Sequence, residues 1–225
     1  AVNFDDRSWN VVSTPHTVEL MPAEGSGCRN YQGPAWYRKH FVLPAETKGQ
    51  RVVLHFEAAM GKQILYLNGK RIQEHLGGYL PFTLDLTANG VQAGDSCLLA
   101  VFTDNSDDKS YPPGKRQYTL DFAYHGGIYR DVWMIAKSPV AITDAIDSQT
   151  VGGGGVFVYF DKISEKSAQV YVNTEVQNDD ARSESVTVET TLTDADGKVI
   201  KRSSGKLSLK PVSYTHLTLP TNSLV

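Results

Sequence analysis

Apolar and polar positions alternate along most of the chain with the two-residue period of β-strands. Residues 51–57 put Val52, Leu54 and Phe56 on one face and Arg51, Val53 and His55 on the other, a strand with one strongly apolar side. Residues 36–43 are rich in aromatic and β-branched side chains and stop at Pro44. Residues 63–67 lead through Asn68-Gly69 into residues 70–74. Asn-Gly between two extended runs predicts a tight hairpin, because both residues tolerate the positive φ of a type I′ turn. Residues 97–103 and 129–136 predict two more buried strands, and Trp36, Phe56 and Trp133 fall on these patterns as core candidates. No stretch keeps a 3.6-residue period long enough for a core helix. Short strands with turn signals between them indicate an all-β sandwich or jelly roll.

The texture changes after Lys137. Ser138-Pro139 marks a boundary, since proline ends a strand and stiffens a connection. Beyond it, residues 140–150, 156–160, 168–177, 185–193 and 199–203 alternate again but carry more Thr, Ser and Val and fewer aromatics. Asp196-Gly197 separates two of them as a second hairpin turn. These features predict a second, smaller β-sandwich. The glycine run 152–155 has no Lys-Ser/Thr and no following helix, so it reads as a turn and not as a phosphate loop. Residues 211–225 (PVSYTHLTLPTNSLV) fit the strand pattern poorly and resemble translated adapter or vector read-through. They are expected to be a non-native tail in which His216 carries no function. The expected organisation is therefore residues 1–138, 139–210 and 211–225.

Composition removes several function classes. The 225 residues are 40% hydrophobic and 21% charged, with a net charge of −3, ordinary values for a globular protein of one or two domains. No basic stripe suggests a nucleic-acid partner. No apolar run reaches the ~18 residues of a membrane span, and the first ten positions lack the pattern of a signal peptide. The cysteines, Cys28 and Cys97, are too few for a disulfide framework; they read as two buried or half-buried thiols, with a single bridge left open. Asp104, Asp107 and Asp108 cluster in a polar loop with no apolar shell to raise one pKa, as a catalytic acid needs. No Ser-His-Asp set, HExxH or Cys/His metal spacing is visible, so no complete catalytic centre, metal or cofactor is expected.

Several segments carry a resemblance in a fixed order: Trp9 with Pro15-His16-Thr17; Trp36-Tyr37-Arg38-Lys39 with Phe41, Leu43 and Pro44; Asn68-Gly69-Lys70 with Gly77-Gly78-Tyr79 and Pro81-Phe82; and Gly126-Gly127-Ile128-Tyr129-Arg130-Asp131-Val132. In this order they resemble the sugar-binding domain of family 2 glycoside hydrolases, the group of β-galactosidases, β-glucuronidases and β-mannosidases. The resemblance implies a galactose-binding-like jelly roll followed, up to about Leu209, by an immunoglobulin-like domain. Such a domain needs about seven strands, and the candidate strands are fewer, so it is expected to be incomplete. The family's first strand, ahead of Trp9, and its catalytic TIM barrel are also expected to be missing. Family members are retaining enzymes whose two barrel glutamates stand about 5–5.5 Å apart.

The same resemblance suggests site residues. The family's loop before the Gly-Gly-Ile-Tyr-Arg segment carries an Asp that hydrogen-bonds sugar hydroxyls, and Asp121 matches it. A carboxylate accepts two hydroxyl donors in charge-assisted bonds. Asn105, Tyr124 and His125 are candidate neighbours, with a turn role open for Asn105 and a packed loop role for His125. Arg130 reads as a structural arginine paired with an acid, and Pro112-Pro113-Gly114 as a stiffener of the loop. Three readings compete: a fragment of a β-galactosidase-like hydrolase, a free-standing carbohydrate-binding module, and a scaffold with no sugar site. The fragment is preferred, with β-glucuronidase as the second choice of enzyme. Its implied partners are a β-galactoside, its own barrel and further copies of itself in a homo-oligomer. Its implied location, from resemblance alone, is periplasmic or secreted.

Overall fold

A computed structural model describes residues 2–20, 31–122, 124–148 and 150–224. Cys28 lies outside the described residues. The chain divides into two compact units, Ala1–Ala136 and Lys137–Val225. Both are built of strands, and the described helical segments are two single 3-10 turns, Ala45–Thr47 and Gln117–Thr119.

The first unit contains β1 (Pro34–Val42), β2 (Arg51–Phe56), β3 (Lys62–Leu67), β4 (Lys70–Leu76), β5 (Phe82–Asp85), β6 (Ser96–Asp104) and β7 (Val132–Lys137). They form a four-stranded sheet of order β1-β6-β3-β4 and a three-stranded sheet of order β5-β2-β7. Leu54, Phe56, Leu65, Leu67, Phe82, Leu84, Leu99 and Val101 fill one core between them. The Asn-Gly hairpin forms as its sequence requires, with φ of 49° at Asn68 and 83° at Gly69. Asn68 also exchanges two bonds with Leu98, accepting at Oδ1 from its N–H and donating its own N–H to its carbonyl. The turn is thereby tied to β6 as well as to its own strands. Two details depart from the sequence pattern. Val53 is buried along with Val52 and Leu54, so β2 is covered on both faces. The last strand begins at Val132 instead of Tyr129.

Phe56 lies in the core, stacked on Phe82 with centroids 4.7 Å apart. Trp36 and Trp133 do not: they are 47% and 54% exposed. Trp36 stands on the outer face of its sheet, edge-on to Phe102 across β6 and beside Tyr66 on β3. The Trp133 indole donates to Glu57 at 3.0 Å. A two-residue period identifies a strand, but where both faces carry large apolar groups it does not say which face turns inward.

The N-terminal segment is anchored to β1 by charge. Arg38 Nε donates to Asp6 at 2.6 Å, and His40 Nε2 lies 3.1 Å from the same oxygen. The Arg38 guanidinium also sits over the Phe4 ring, and Phe4 packs against Trp9.

The second unit contains β8 (Val140–Ile142), β9 (Val156–Asp161), β10 (Ser167–Asn178), β11 (Glu184–Thr193), β12 (Val199–Leu209) and β13 (Ser213–Leu224). β10 pairs with β13 on one side and with β8 and β9 on the other, while β11 and β12 form a hairpin. Residues 140–150, read as one strand, leave the sheet after Ile142. Asp144 Oδ1 accepts the N–H groups of Ile146 and Asp147 there, an Asx-type turn that competes with the ladder. The glycine run is a turn, fastened where Gly155 N–H donates to Thr143 Oγ1 and Thr143 Oγ1 donates to Glu175. Residues expected to be a foreign tail form β13, in register with β10 from Ser213 to Leu224. Backbone ladders accept almost any extended sequence, so the pairing gives the segment's place and not its origin. Val212, at the turn into β13, has a φ of 48°, an uncommon conformation for a β-branched residue.

Two outcomes are expected from this packing. Phe56→Ala should lower the unfolding free energy of the first unit by about 3–5 kcal/mol, read from the shift of its urea midpoint at constant slope. The hydrogen bond from Arg38, and then that from His40, hold the Asp6 carboxyl below its usual range. A lowered folded-state pKa contributes stability above the ordinary carboxylate range and loses it as pH falls through the lowered value. Limited proteolysis of the N-terminal segment should therefore accelerate only at strongly acidic pH, and Asp6→Asn should remove that step.

Candidate functional site

The candidate residues lie on the long connection between β6 and β7, residues 105–131. A connection without sheet pairing must satisfy its backbone polar groups by other means, and its first residue does much of this. Asn105 is 2% exposed. Its Oδ1 accepts the Gly33 N–H at 3.0 Å, and its Nδ2 donates to the carbonyls of Tyr31 at 2.7 Å and Tyr124 at 2.9 Å. This corrects the expectation that Asn105 faces substrate: its amide is committed to backbone, and it clamps loops together.

The far end of the connection is held by the other motif residues. His16 N–H donates to Ile128 O, Val18 N–H to Gly126 O and Met60 N–H to Gly127 O. His16 Nδ1 is 2.8 Å from the Tyr37 hydroxyl, and a Cβ on Gly127, whose φ is 107°, would meet that hydroxyl at 2.1 Å. The Tyr129 hydroxyl donates to Gly78 O at 2.5 Å. The separate sequence motifs thus meet around one stretch of backbone. Arg130 lies over the Tyr129 ring at 5.9 Å, and among the described residues no ion pair with the expected acid is found.

Between these anchors, the acidic residues shape turns. Asp104 Oδ1 accepts Ser106 N–H, and Asp107 Oδ1 accepts both Gln117 N–H and Gln32 Nε2. The hydroxyl and N–H of Ser110 donate to Asp108 and hold its carboxyl below the usual carboxylate range. A general acid needs the opposite shift, so this cluster is structural.

Asp121 follows the 3-10 turn Gln117–Thr119 and is exposed. Tyr124 is buried, which corrects its placement as a cleft-lining group. Its hydroxyl pKa is pushed up to about 12, chiefly by burial, with Tyr79 and Asp107 acting in the same direction. His125 is half-buried, and its Nδ1 has no hydrogen-bond partner among the described residues. Next to Asp121 in the chain, Phe122 stands beside Tyr79, a pair not assigned to the site from sequence. Phe122 and Tyr79 are 46% and 44% exposed, with ring centroids 6.5 Å apart at 69°. Phe122 rests in turn on Tyr124 at 5.8 Å. The adjacency of Phe122 to Asp121 was the available signal; the approach of Tyr79 was not readable from spacing. Among the described residues, no group of three or more His, Cys, Asp or Glu could hold a metal ion.

Asn105→Ala would strip partners from one N–H and two carbonyls. A loss of about 2–4 kcal/mol is expected, with accelerated hydrogen exchange at the Gly33 amide as the local readout.

Residues 3–139 match the sequence profile described as "Glycosyl hydrolases family 2, sugar binding domain", and residues 154–221 match that described as "Glycosyl hydrolases family 2". A β-glucuronidase of Formosa agariphila is 32% identical over 98% of this chain and 23% of its own length. A β-galactosidase of Thermoanaerobacter pseudethanolicus is 32% identical over 77% of this chain and 22% of its own. The solved structure of a β-glucuronidase from glycoside hydrolase family 2 superposes with a TM-score of 0.84 at 31% identity, covering 99% of this chain and 24% of that one. The chain thus spans about a quarter of the length of the curated relatives it matches. Ordered motifs, several of which meet around residues 126–129, and profile matches over both units place the chain in glycosyl hydrolase family 2.

Proposed function

We propose that this chain is the non-catalytic front of a retaining β-glycosidase that hydrolyses terminal β-D-galactosides, and that its 105–131 loop lends Asp121 to the substrate pocket. The observation that carries this reading is an exposed carboxylate on a loop braced at both ends by buried hydrogen bonds. Bracing lowers the ordering cost when a ligand binds, and a fixed carboxylate can hold two hydroxyls of one sugar ring. Residues 1–138 act as the sugar-binding domain and residues 139–210 as part of an immunoglobulin-like domain. The nucleophile and acid/base are glutamates of a barrel partner, since Asp104, Asp107 and Asp108 are bound into turns.

A β-glucuronide is the second reading, favoured by the relative that aligns along 98% of the chain. The neutral galactoside is preferred because a uronate would meet the Asp121 charge. That repulsion is worth about 1 kcal/mol at 4 Å in water and more where water is excluded.

The test is to extend the source DNA past the Leu209 codon, express the whole reading frame and assay 4-nitrophenyl β-D-galactoside against the glucuronide. Asp121→Asn should lower kcat/KM about 10- to 100-fold, the equivalent of one charge-assisted hydrogen bond. Turnover by the 225-residue chain alone, or an unaffected Asp121→Asn enzyme, would overturn the proposal.

A further inference from the structure

We infer that Phe157, Tyr159 and Tyr171 form an aromatic docking strip on the outer face of the second unit, and that its occupant is an apolar surface of the barrel domain proposed above. The inference rests on that reading and extends it to how the barrel is held.

Register separates the two faces of β9. Directly paired residues of an antiparallel ladder point to the same side of the sheet. Val156, Val158 and Phe160 pair with Thr174, Val172 and Val170, which are all buried. These three side chains face inward, and their exposure is what an unfinished sandwich leaves. Phe157 and Tyr159 point the other way, opposite Asn173 and Tyr171. Strands that complete a sandwich pack on its inner faces, and the outward positions of such strands are normally polar. Completing the sandwich therefore leaves Phe157 and Tyr159 uncovered, and they are 58% and 40% exposed.

The strip is ordered and poor in charge. The Tyr159 and Tyr171 rings are stacked, with centroids 4.8 Å apart and planes at 6°. Phe157 continues the row 6.0 Å from Tyr159. The start of β9 is fixed, because Gly155 N–H donates to Thr143 Oγ1 and Gly155 O accepts the Glu175 N–H. Little ordering therefore remains to be done on docking. On this side of β9 and β10 the charged residues are Asp161 and Glu175, and Glu175 is buried and accepts from Thr143. Around the rings stand Gln169, Asn173 and Gln177. Aromatic enrichment with few charges is the composition of the core of a protein–protein interface. Single exposed apolar residues are ordinary, but a contiguous row marks a contact surface.

The size of the relatives points to the occupant. The chain spans about a quarter of their length, so the barrel of the proposed enzyme offers far more surface than either unit here. A domain on the same polypeptide meets the strip at an effective concentration in the millimolar range when the linker is short. A second copy at ordinary protein concentration has no such advantage.

Hydroxyl-radical footprinting read by mass spectrometry tests this on unmodified side chains, comparing the 225-residue chain with the product of the extended reading frame. In the chain, Phe157 and Tyr159 should oxidise readily. In the whole protein their oxidation should fall toward that of Phe56, which is 1% exposed. Phe157→Lys should leave the urea midpoint of the chain unchanged, because that ring is exposed, yet restore oxidation of Tyr159 in the whole protein; Phe157→Leu should keep the protection. Equal oxidation of both rings in the two proteins would overturn the inference. Protection already present in the chain and lost on dilution would assign the strip to a second copy and overturn it too. Failure of the hydrolase reading looks different: an extended protein without glycosidase activity whose rings are nonetheless protected removes that reading alone, and an active enzyme with fully reactive rings removes the docking strip alone. A reading frame that ends at Val225 removes both.

Discussion

The side-chain amide of Asn105 joins two stretches of backbone, residues 31–33 and Tyr124, that no sheet connects. It takes the N–H of Gly33 and serves the carbonyls of Tyr31 and Tyr124 from a position closed to water. In such surroundings each bond is stronger than in solvent, and each group left without a partner is correspondingly costly. An aspartate of the same shape would keep the acceptor and lose both donors. The clamp also dictates its neighbours. A Cβ on Gly126 would stand 3.0–3.2 Å from the three terminal atoms of the amide, closer than ordinary packing, so the approach of this backbone to Asn105 depends on glycine. From that point the chain has little freedom: Tyr124 is buried, Phe122 leans on it, and Asp121 is placed one residue beyond.

The same constraint gives the scattered motifs a common cause. Pro15-His16-Thr17, the tyrosine of Trp36-Tyr37-Arg38, Gly77-Gly78-Tyr79 and Gly126-Gly127-Ile128 read along the chain as unrelated short patterns. In space, His16 and Val18 bond the 126–128 backbone, Tyr37 occupies the space a side chain on Gly127 would fill, and Tyr129 reaches Gly78. None of these residues needs to touch a sugar. They hold the ends of a loop that would otherwise pay a large entropic cost to present one carboxylate.

The strands were legible in the sequence because a half-buried strand has to alternate, and the hairpin because few dipeptides other than Asn-Gly fit its turn so well. What stayed hidden has physical reasons. β5 is four residues long and follows a proline, too short to display a period. Trp36 sits on a strand apolar on both faces, so alternation gave no direction. Residues 140–150 alternate well, but the local bonds of Asp144 draw the chain out of the sheet after Ile142. The role of Asn105 is set by partners at residues 31, 33 and 124, and the bracing of Phe122 by a ring at residue 79. Sequence pattern reports what is near along the chain; these roles depend on contacts made across it.

The two units are not equally able to hold a precise site. The first buries Phe56, Leu65, Leu84 and Leu86 almost completely within one continuous core. In the second, the fully buried cluster is Val176, Val188 and Leu209. Its strand β9 exposes Val156, Phe157, Val158, Tyr159 and Phe160 on both faces, with the Tyr159–Tyr171 stack as its most intimate aromatic contact. Apolar burial is the main source of stability, and positioning a side chain to within a fraction of an ångström requires supporting groups that do not themselves move. The loop carrying Asp121 is rooted at both ends in the well-packed sandwich, at Asp104 in β6 and Val132 in β7. That connection is therefore anchored where the core is deepest. The second unit has the backbone ladders of a sandwich, but apolar side chains of β9 that a closed core would cover still face solvent.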